Sequence, residues 1–146
     1  NVPKLIFWPN ADAGSEEISA ALREYREKKL IKNAWFIKNL DHSAFFTVLR
    51  NTKCLIGNTS SAIREGSFIG VPTVSVGTRQ NGRERGKNVI NAKYNTEDIY
   101  KKIISQMNIK HKFVKSNLYG DGHASARIVK ILESAKVNIQ KKLTYK

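Results

Sequence analysis

The stretch GNTSSAIREGSFIGVPTVSVGTRQNGRERGKNVI, residues Gly57–Ile90, decides the fold of this chain. A short apolar run, Cys54–Ile56, leads into it and is typical of a buried strand. Gly57–Asn58 ends that run as turn residues do, and the apolar spacing that follows predicts a helix over Thr59–Phe68. A second apolar run, Thr73–Val76, predicts the next strand. Strand, tight turn, helix and strand in this order are typical of a parallel α/β protein.

Polar side chains cluster at the turn and after the second strand. Thr59 and Ser60 open the predicted helix, where unpaired backbone N–H groups and the helix dipole favour an anion. Glu65 lies further along the helix, where it could accept the hydroxyls of a ribose whose phosphates sit at the helix start. Arg79 follows the next parallel strand and is therefore expected at the same sheet edge, where a guanidinium can hold a phosphate with two hydrogen bonds. Because Thr and Ser are also ordinary helix caps and Glu65 an ordinary surface acid, the pattern alone leaves both interpretations open.

The rest of the chain continues the alternation of strands and helices. Apolar runs predict further strands at Lys4–Trp8, Ala34–Ile37 and Asn88–Asn91. Helical spacing predicts helices that start near Ser15, Ser43, Thr96 and Asp121–Gly122, the last of them with Ala124, Ile128, Leu132 and Ala135 on one face. With five strands and five or six helices, the sequence predicts an α/β fold: a Rossmann-like parallel sheet with helices on both faces.

Length and composition fit one globular domain. The chain has 146 residues, of which 40% are hydrophobic, and it contains no apolar run long enough to span a membrane. It begins Asn-Val-Pro-Lys, without an initiator Met or a signal peptide, which we take as the mark of a piece cut from a longer protein. Cys54 is the only cysteine, which excludes an intrachain disulfide and a thiolate metal cluster and fits a reducing cytoplasm.

The net charge of +14, from 26 basic and 12 acidic side chains, makes nucleic acid a rival partner. The lysines are spread through predicted helices and loops, and none falls in a recognisable nucleic-acid module. Solvated lysine-rich faces are the simpler explanation, and attraction of a small phosphorylated ligand is compatible with either interpretation.

Four motifs in order give the chain a resemblance to a known family. They are WPNADAGS (Trp8–Ser15), GNTSSAIRE (Gly57–Glu65), GTRQNGRERGKNV (Gly77–Val89) and YGDG (Tyr119–Gly122). Together they resemble the UDP-N-acetylglucosamine 2-epimerases, specifically their hydrolysing branch, from about residue 4 to about residue 133. The resemblance implies that the chain is the C-terminal half of a glycosyltransferase-B (GT-B) fold, in which two Rossmann-like domains face each other across a cleft. Residues 1–137 would form the UDP-binding domain and residues 138–146 a polar C-terminal tail.

The same resemblance implies a set of UDP-binding residues: Asn10, Lys38, Asn39, Leu40, Thr59, Ser60, Glu65 and Arg79. Thr59 and Ser60 would hold phosphate oxygens and Glu65 the ribose, while the loop at Leu40 would hold the uracil. Arg79 would be the catalytic residue of this chain, because it stabilises the departing UDP. The acid and base carboxylates that act on the sugar belong to the family's first domain. The resemblance implies no cofactor and no metal.

The implied reaction converts UDP-N-acetylglucosamine and water to N-acetylmannosamine and UDP, for sialic-acid-type sugar biosynthesis. The intact enzyme would bind a UDP-sugar, join this domain to an N-terminal domain and form a homo-oligomer, with no nucleic-acid or membrane partner. This piece alone would bind UDP weakly and turn nothing over. Two alternatives stay open: the C-terminal domain of a nucleotide-sugar glycosyltransferase, and a basic nucleic-acid-binding module. The amino sugar is also undecided, and a diacetylated bacillosamine nucleotide is a second candidate.

Overall fold

A computed structural model of the protein describes residues 2–136 and Gln140, and it divides the chain into two compact units, Asn1–Asn51 and Thr52–Lys146. Every strand pairing is parallel and helices alternate with most of the strands, which confirms the α/β fold. The five strands form two sheets, one in each unit, where the sequence predicts a single sheet. Apolar runs identify strands but not their partners, so they do not reveal this division. The single domain over residues 1–137 stays a prediction, and the predicted tail, residues 138–146, lies outside the described residues except for Gln140.

The first unit is a parallel strand pair with two helices. Its elements are β1 (Lys4–Phe7), α1 (Ser15–Glu27), β2 (Ala34–Ile37) and α2 (His42–Asn51). The helix α1 crosses over between β1 and β2, as two parallel strands require. Trp8 extends the pairing beyond β1, because its backbone N–H donates to the carbonyl of Ile37 at 2.9 Å. The loops that follow β1 and β2 therefore leave the same edge of this small sheet, the edge where open α/β folds bind ligands.

The second unit is built on a three-stranded parallel sheet. Its elements are β3 (Leu55–Gly57), α3 (Ser60–Ile63), α4 (Glu65–Ile69), β4 (Thr73–Val76), β5 (Val89–Ala92), α5 (Thr96–Met107) and α6 (Ala124–Ser134). The strand β4 lies in the middle, and Gly57 at the end of β3 pairs with Ser75 of β4. Ile63, Val71 and Val74 are fully buried and form the centre of the core. The turn after β3 and the loop after β4 thus start from neighbouring points on one sheet edge.

The single helix predicted over Thr59–Phe68 is wrong, because the chain breaks it at Arg64. Arg64 has φ −86° and ψ −77°, and it separates α3 from α4. Glu65 is therefore the first residue of α4 and does not lie inside one long helix. Because α3 aligns only one turn of peptide dipoles, the helix dipole contributes less than the sequence implies. An anion at this turn would depend on individual N–H and hydroxyl donors.

The last helix, α6, begins at Ala124, later than the predicted start at Asp121–Gly122. The Asp121 carboxylate accepts two hydrogen bonds from the Arg127 guanidinium, at 2.9 and 3.0 Å, and this pairing holds the pKa of Asp121 well below its usual range. The helix buries none of its side chains, and four apolar ones are more than half exposed: Ile128, Val129, Ile131 and Leu132. The predicted apolar face of α6 is therefore uncovered within the described part of the chain.

Candidate functional site

The turn after β3 carries two of the predicted phosphate ligands. Gly57 has φ +144°, a backbone conformation that favours glycine, and the chain then enters α3. Thr59 is the N-cap of α3, and its Oγ1 accepts a hydrogen bond from the N–H of Ser61 at 3.3 Å. The Thr59 hydroxyl keeps its own proton to donate, since accepting this bond uses only a lone pair. Ser60 follows as the first residue of α3, and both side chains are partly exposed at this turn.

Glu65, the predicted ribose ligand, has an incompletely satisfied carboxylate. Its Oε2 is buried and has no hydrogen-bond partner among the residues that the structure describes. A buried carboxylate oxygen without a partner is unfavourable, so a ligand or an ordered water is expected to satisfy it. A carboxylate with one buried oxygen that lacks a partner thus follows the Thr59–Ser60 turn after one short helix.

The loop between β4 and β5, residues 77–88, carries Arg79 and is called the arginine loop here. Gly77 opens it with φ +78°, a conformation that favours glycine, and its backbone N–H donates to the Ala92 carbonyl at 2.8 Å. Asn88 closes the loop with a side chain that is 1% exposed and donates to the carbonyl of Val71 at 2.8 Å. Both ends of the loop are therefore fixed by close contacts within the second unit.

Gln80 joins the arginine loop to the turn after β3. Its side chain is 3% exposed, and its Nε2 donates to the carbonyl of Asn58 at 2.7 Å. Asn58 immediately precedes Thr59, and Gln80 immediately follows Arg79, whose side chain is exposed. The structure thus brings together the two segments that carry the predicted phosphate ligands and Arg79, and one buried side chain connects them.

Two further side chains hold the middle of the arginine loop. The Arg85 guanidinium donates to the backbone carbonyl of Gln80, and the Tyr119 hydroxyl donates to the carbonyl of Glu84 at 2.6 Å. Tyr119 belongs to the YGDG motif, whose task is not evident from the sequence alone. The Gly-rich basic composition of the loop fits a mobile surface segment equally well, so these anchors are not visible in the sequence.

Buried polar atoms without a partner concentrate on these segments. Four such side-chain atoms occur among the described residues: Glu65 Oε2, Gln80 Oε1, Arg85 Nη1 and Gln106 Oε1. Three of them belong to α4 or to the arginine loop, and they include both acceptors and a cationic donor. A site shaped for a polar ligand contains such groups because the ligand completes their hydrogen bonds. Sequence reasoning assigned no contact to Gln80 or Arg85, since amides and guanidinium groups in a polar loop resemble solvated residues.

The other predicted site residues lie in the first unit. Asn10 is exposed in the loop after β1, and Lys38 is exposed after β2. The Asn39 Oδ1 accepts a hydrogen bond from the backbone N–H of Leu40 at 2.9 Å, so one backbone group assigned to the uracil is already paired. A depression of about 360 Å³ lies beside Lys38 and is also lined by Trp8, Ser19, Arg23 and Arg26. The roles of these four predicted residues stay predictions.

Three further features of the described residues concern metals, membranes and thiol chemistry. No three His, Cys, Asp or Glu side chains among them could hold a metal ion together. None of the helices described combines the length and the apolar character needed to cross a bilayer. Burial raises the pKa of the Cys54 thiol to about 11, so it is protonated near neutral pH and is a poor nucleophile.

The fold and these contacts define a class of protein: a parallel α/β protein in which a hydroxyl-bearing turn and an arginine-bearing loop meet at one sheet edge. The sequence profile of the family described as UDP-N-acetylglucosamine 2-epimerase matches residues 1–133. The chain therefore belongs to the UDP-N-acetylglucosamine 2-epimerase family, which has a Rossmann-like GT-B fold. The resemblance given by the four motifs is confirmed.

Three relatives are similar to this chain, and each matches it over only part of the relative's own length. A UDP-N-acetylglucosamine 2-epimerase of Neisseria meningitidis serogroup B is 35% identical over 66% of this chain and 24% of its own length. A UDP-N,N'-diacetylbacillosamine 2-epimerase (hydrolyzing) of Legionella pneumophila is 33% identical over 96% of this chain and 36% of its own length. A GDP/UDP-N,N'-diacetylbacillosamine 2-epimerase (hydrolyzing) of Campylobacter jejuni is 36% identical over 64% of this chain and 24% of its own length. The chain thus spans between 24% and 36% of the length of these relatives.

Proposed function

We propose that this chain is the UDP-binding domain of a hydrolysing 2-epimerase that acts on a UDP-activated N-acetyl amino sugar. The favoured substrate is UDP-N-acetylglucosamine, with N-acetylmannosamine and UDP as products and sialic-acid-type sugars as their destination. The observation that carries the proposal is the buried, unpartnered Oε2 of Glu65, which follows a hydroxyl-bearing turn. Membership of the family and the hydrolysing relatives support the same reaction.

Each group at the sheet edge of the second unit has a distinct task in this proposal. The Thr59 and Ser60 hydroxyls donate to phosphate oxygens, and Glu65 accepts the hydroxyls of the ribose. Arg79 stabilises the negative charge that develops on UDP as it leaves. Asn10, Lys38, Asn39 and Leu40 are proposed as nucleotide contacts on the strength of the resemblance alone.

The proposed chemistry needs two half-reactions. A base removes the C2 proton of the sugar, the C2–H electrons form a C1=C2 double bond, and the C1–O bond breaks with its electrons on UDP. Water then adds its hydroxyl to C1 and a proton to the opposite face of C2, which gives the inverted sugar. The base and acid for these steps are assigned to the domain that lies outside this chain, so the chain itself binds and stabilises the leaving group.

The proposal is tested by titrating UDP into the full-length protein and into its Glu65→Ala variant. A hydrogen bond to a charged group contributes about 1.5–3 kcal/mol, so UDP affinity should fall by roughly ten- to hundredfold. The variant should also lose any preference for UDP over 2′-deoxy-UDP, because the proposed contact is to the ribose hydroxyls.

Glu84→Ala is the matched control, since Glu84 is an exposed acid of the arginine loop whose backbone carbonyl is retained. Equal UDP affinity in the wild type and Glu65→Ala would remove the ribose contact. Analysis of the products separates the glycosyltransferase alternative, which requires an acceptor and releases no free N-acetylmannosamine.

A further inference from the structure

We infer that Gln80 is a positioning residue that holds the arginine loop and the turn after β3 at the separation that the two phosphates of UDP require. This inference rests on the proposed function. Gln80 would act through its neighbours, because its Nε2 donates to the Asn58 carbonyl and its own backbone continues from Arg79. It would therefore position Arg79 and Thr59 without touching the nucleotide.

The hydrogen bonds of Gln80 favour a positioning role over a role in stability. Its side chain is 3% exposed, and only the Nε2 side of the amide is paired, while Oε1 is buried without a partner among the described residues. A buried amide that satisfies one group and leaves the other unpaired adds little to stability, and an apolar side chain of similar size would serve the core as well. What an apolar side chain cannot supply is the connection to the turn after β3.

The backbone at Gln80 is itself held in place. The Arg85 guanidinium donates to the Gln80 carbonyl, so the side chain that reaches Asn58 extends from a fixed point. The start of the same loop is held by the backbone N–H of Gly77, which donates to the Ala92 carbonyl at 2.8 Å. These two hydrogen bonds, from Arg85 to the Gln80 backbone and from the Gln80 side chain to Asn58, link the middle of the arginine loop to the turn after β3.

The connection between the arginine loop and the turn after β3 matters for the binding of a pyrophosphate. Its two phosphoryl groups must meet donors from both segments at once, and the cost of ordering those segments reduces the binding free energy unless the segments are ordered beforehand. Arg79 has a long, exposed side chain, so its reach toward a phosphate depends on where the loop backbone is held. The nucleoside moiety alone does not need both segments. Loss of the connection should therefore weaken UDP binding and leave uridine binding unchanged.

The test compares the affinities for UDP and uridine in the full-length protein and in two variants of Gln80. Gln80→Met keeps the length of the side chain and removes the donor, and Gln80→Leu removes the donor with a shorter apolar side chain. The control is Gln106→Met, because Gln106 is also 3% exposed with an unpartnered Oε1 but lies on α5. In both Gln80 variants the ratio of UDP to uridine affinity should fall about tenfold, the expected loss for one hydrogen bond of this kind. The ratio should not change in Gln106→Met.

The outcomes separate this inference from the proposed function. If the wild type binds UDP no better than uridine, both the proposed function and the inference about Gln80 fail. If the wild type prefers UDP and both Gln80 variants keep the wild-type ratio, the positioning role is overturned while the proposed function stands. A parallel loss of UDP and uridine affinity would also overturn it, because a merely structural defect affects both ligands. A normal thermal unfolding midpoint in Gln80→Met together with the lowered ratio would support it.

Discussion

Three carboxylates of the second unit differ in what they already bind. Asp98 accepts the backbone N–H of Lys93 at 2.8 Å, and Asp121 accepts two N–H groups from Arg127. These hydrogen bonds lower the pKa of both groups, which keeps them ionised and engaged. Glu65 differs because its buried Oε2 accepts nothing from the described residues. Of the three, Glu65 is the one with a buried oxygen that lacks a partner among the described residues, so an acid that looks ordinary in the sequence becomes the strongest site candidate.

Arg79 should be required for the chemical step in the full-length protein. Removing one preorganised donor from a developing negative charge typically costs about 2.7–4 kcal/mol, so Arg79→Ala should lower kcat by roughly 10²- to 10³-fold. KM should change less, because the charge on UDP grows as the C1–O bond breaks. Arg83→Ala is the control, since Arg83 is an exposed cation of the same loop without an assigned contact. Steady-state kinetics of sugar release measure both, and similar losses in the two variants would contradict a specific role for Arg79.

At the scale of elements, the start of α5 offers a test of the local structure. The Asn95 Oδ1 accepts the N–H of Asp98 at 3.0 Å, so Asn95 is the N-cap of this helix and Thr96, the predicted cap, is its first residue. Asn95→Ala should therefore lower the free energy of unfolding by about 1 kcal/mol, while Thr96→Ala should change it by only a few tenths. Urea denaturation of the full-length protein and of the two variants measures the difference. The opposite order would show that Thr96 caps the helix.

The sequence predicts strands better than it predicts helix ends or pairings. Ala34–Ile37 and Thr73–Val76 are found at the predicted residues, because short runs of apolar or β-branched residues between turn residues favour strands. Helix ends are harder, since Asn, Asp, Ser and Thr are all good caps and neighbouring candidates compete, as Asn95 and Thr96 do. Arg64 itself is neither Gly nor Pro, and the nearby Gly66 lies inside α4 and not at the break. The connection between Gln80 and Asn58 depends on tertiary proximity, which local patterns do not encode.

At the scale of the whole molecule, charge and family membership favour different partners. The net charge of +14 alone fits a nucleic-acid-binding protein, whereas the family acts on nucleotide sugars. Several lysines are engaged in exposed pairs along helices, such as Lys28 with Glu24 and Lys101 with Glu97. Exposed pairs of this kind contribute little energy and cancel in the net charge. Under the proposed function, the remaining lysines belong to solvated faces, and the partner is a small anionic ligand.

The dependence of binding on salt distinguishes the two partners. A protein that neutralises six to ten nucleic-acid phosphates loses roughly 10³- to 10⁵-fold in affinity between about 50 and 200 mM salt, because bound counterions are released. UDP carries only two phosphoryl groups and no condensed counterion layer, so its affinity should fall by less than about tenfold over the same range. Isothermal titration of the full-length protein with UDP, and with a duplex of random sequence, measures both slopes. Lys101→Gln, which neutralises an exposed lysine of α5, should leave the UDP affinity unchanged. Duplex binding that is tight, falls steeply with salt and displaces UDP would instead show that the charge of this chain serves nucleic-acid binding. The protein would then bind UDP no better than ADP.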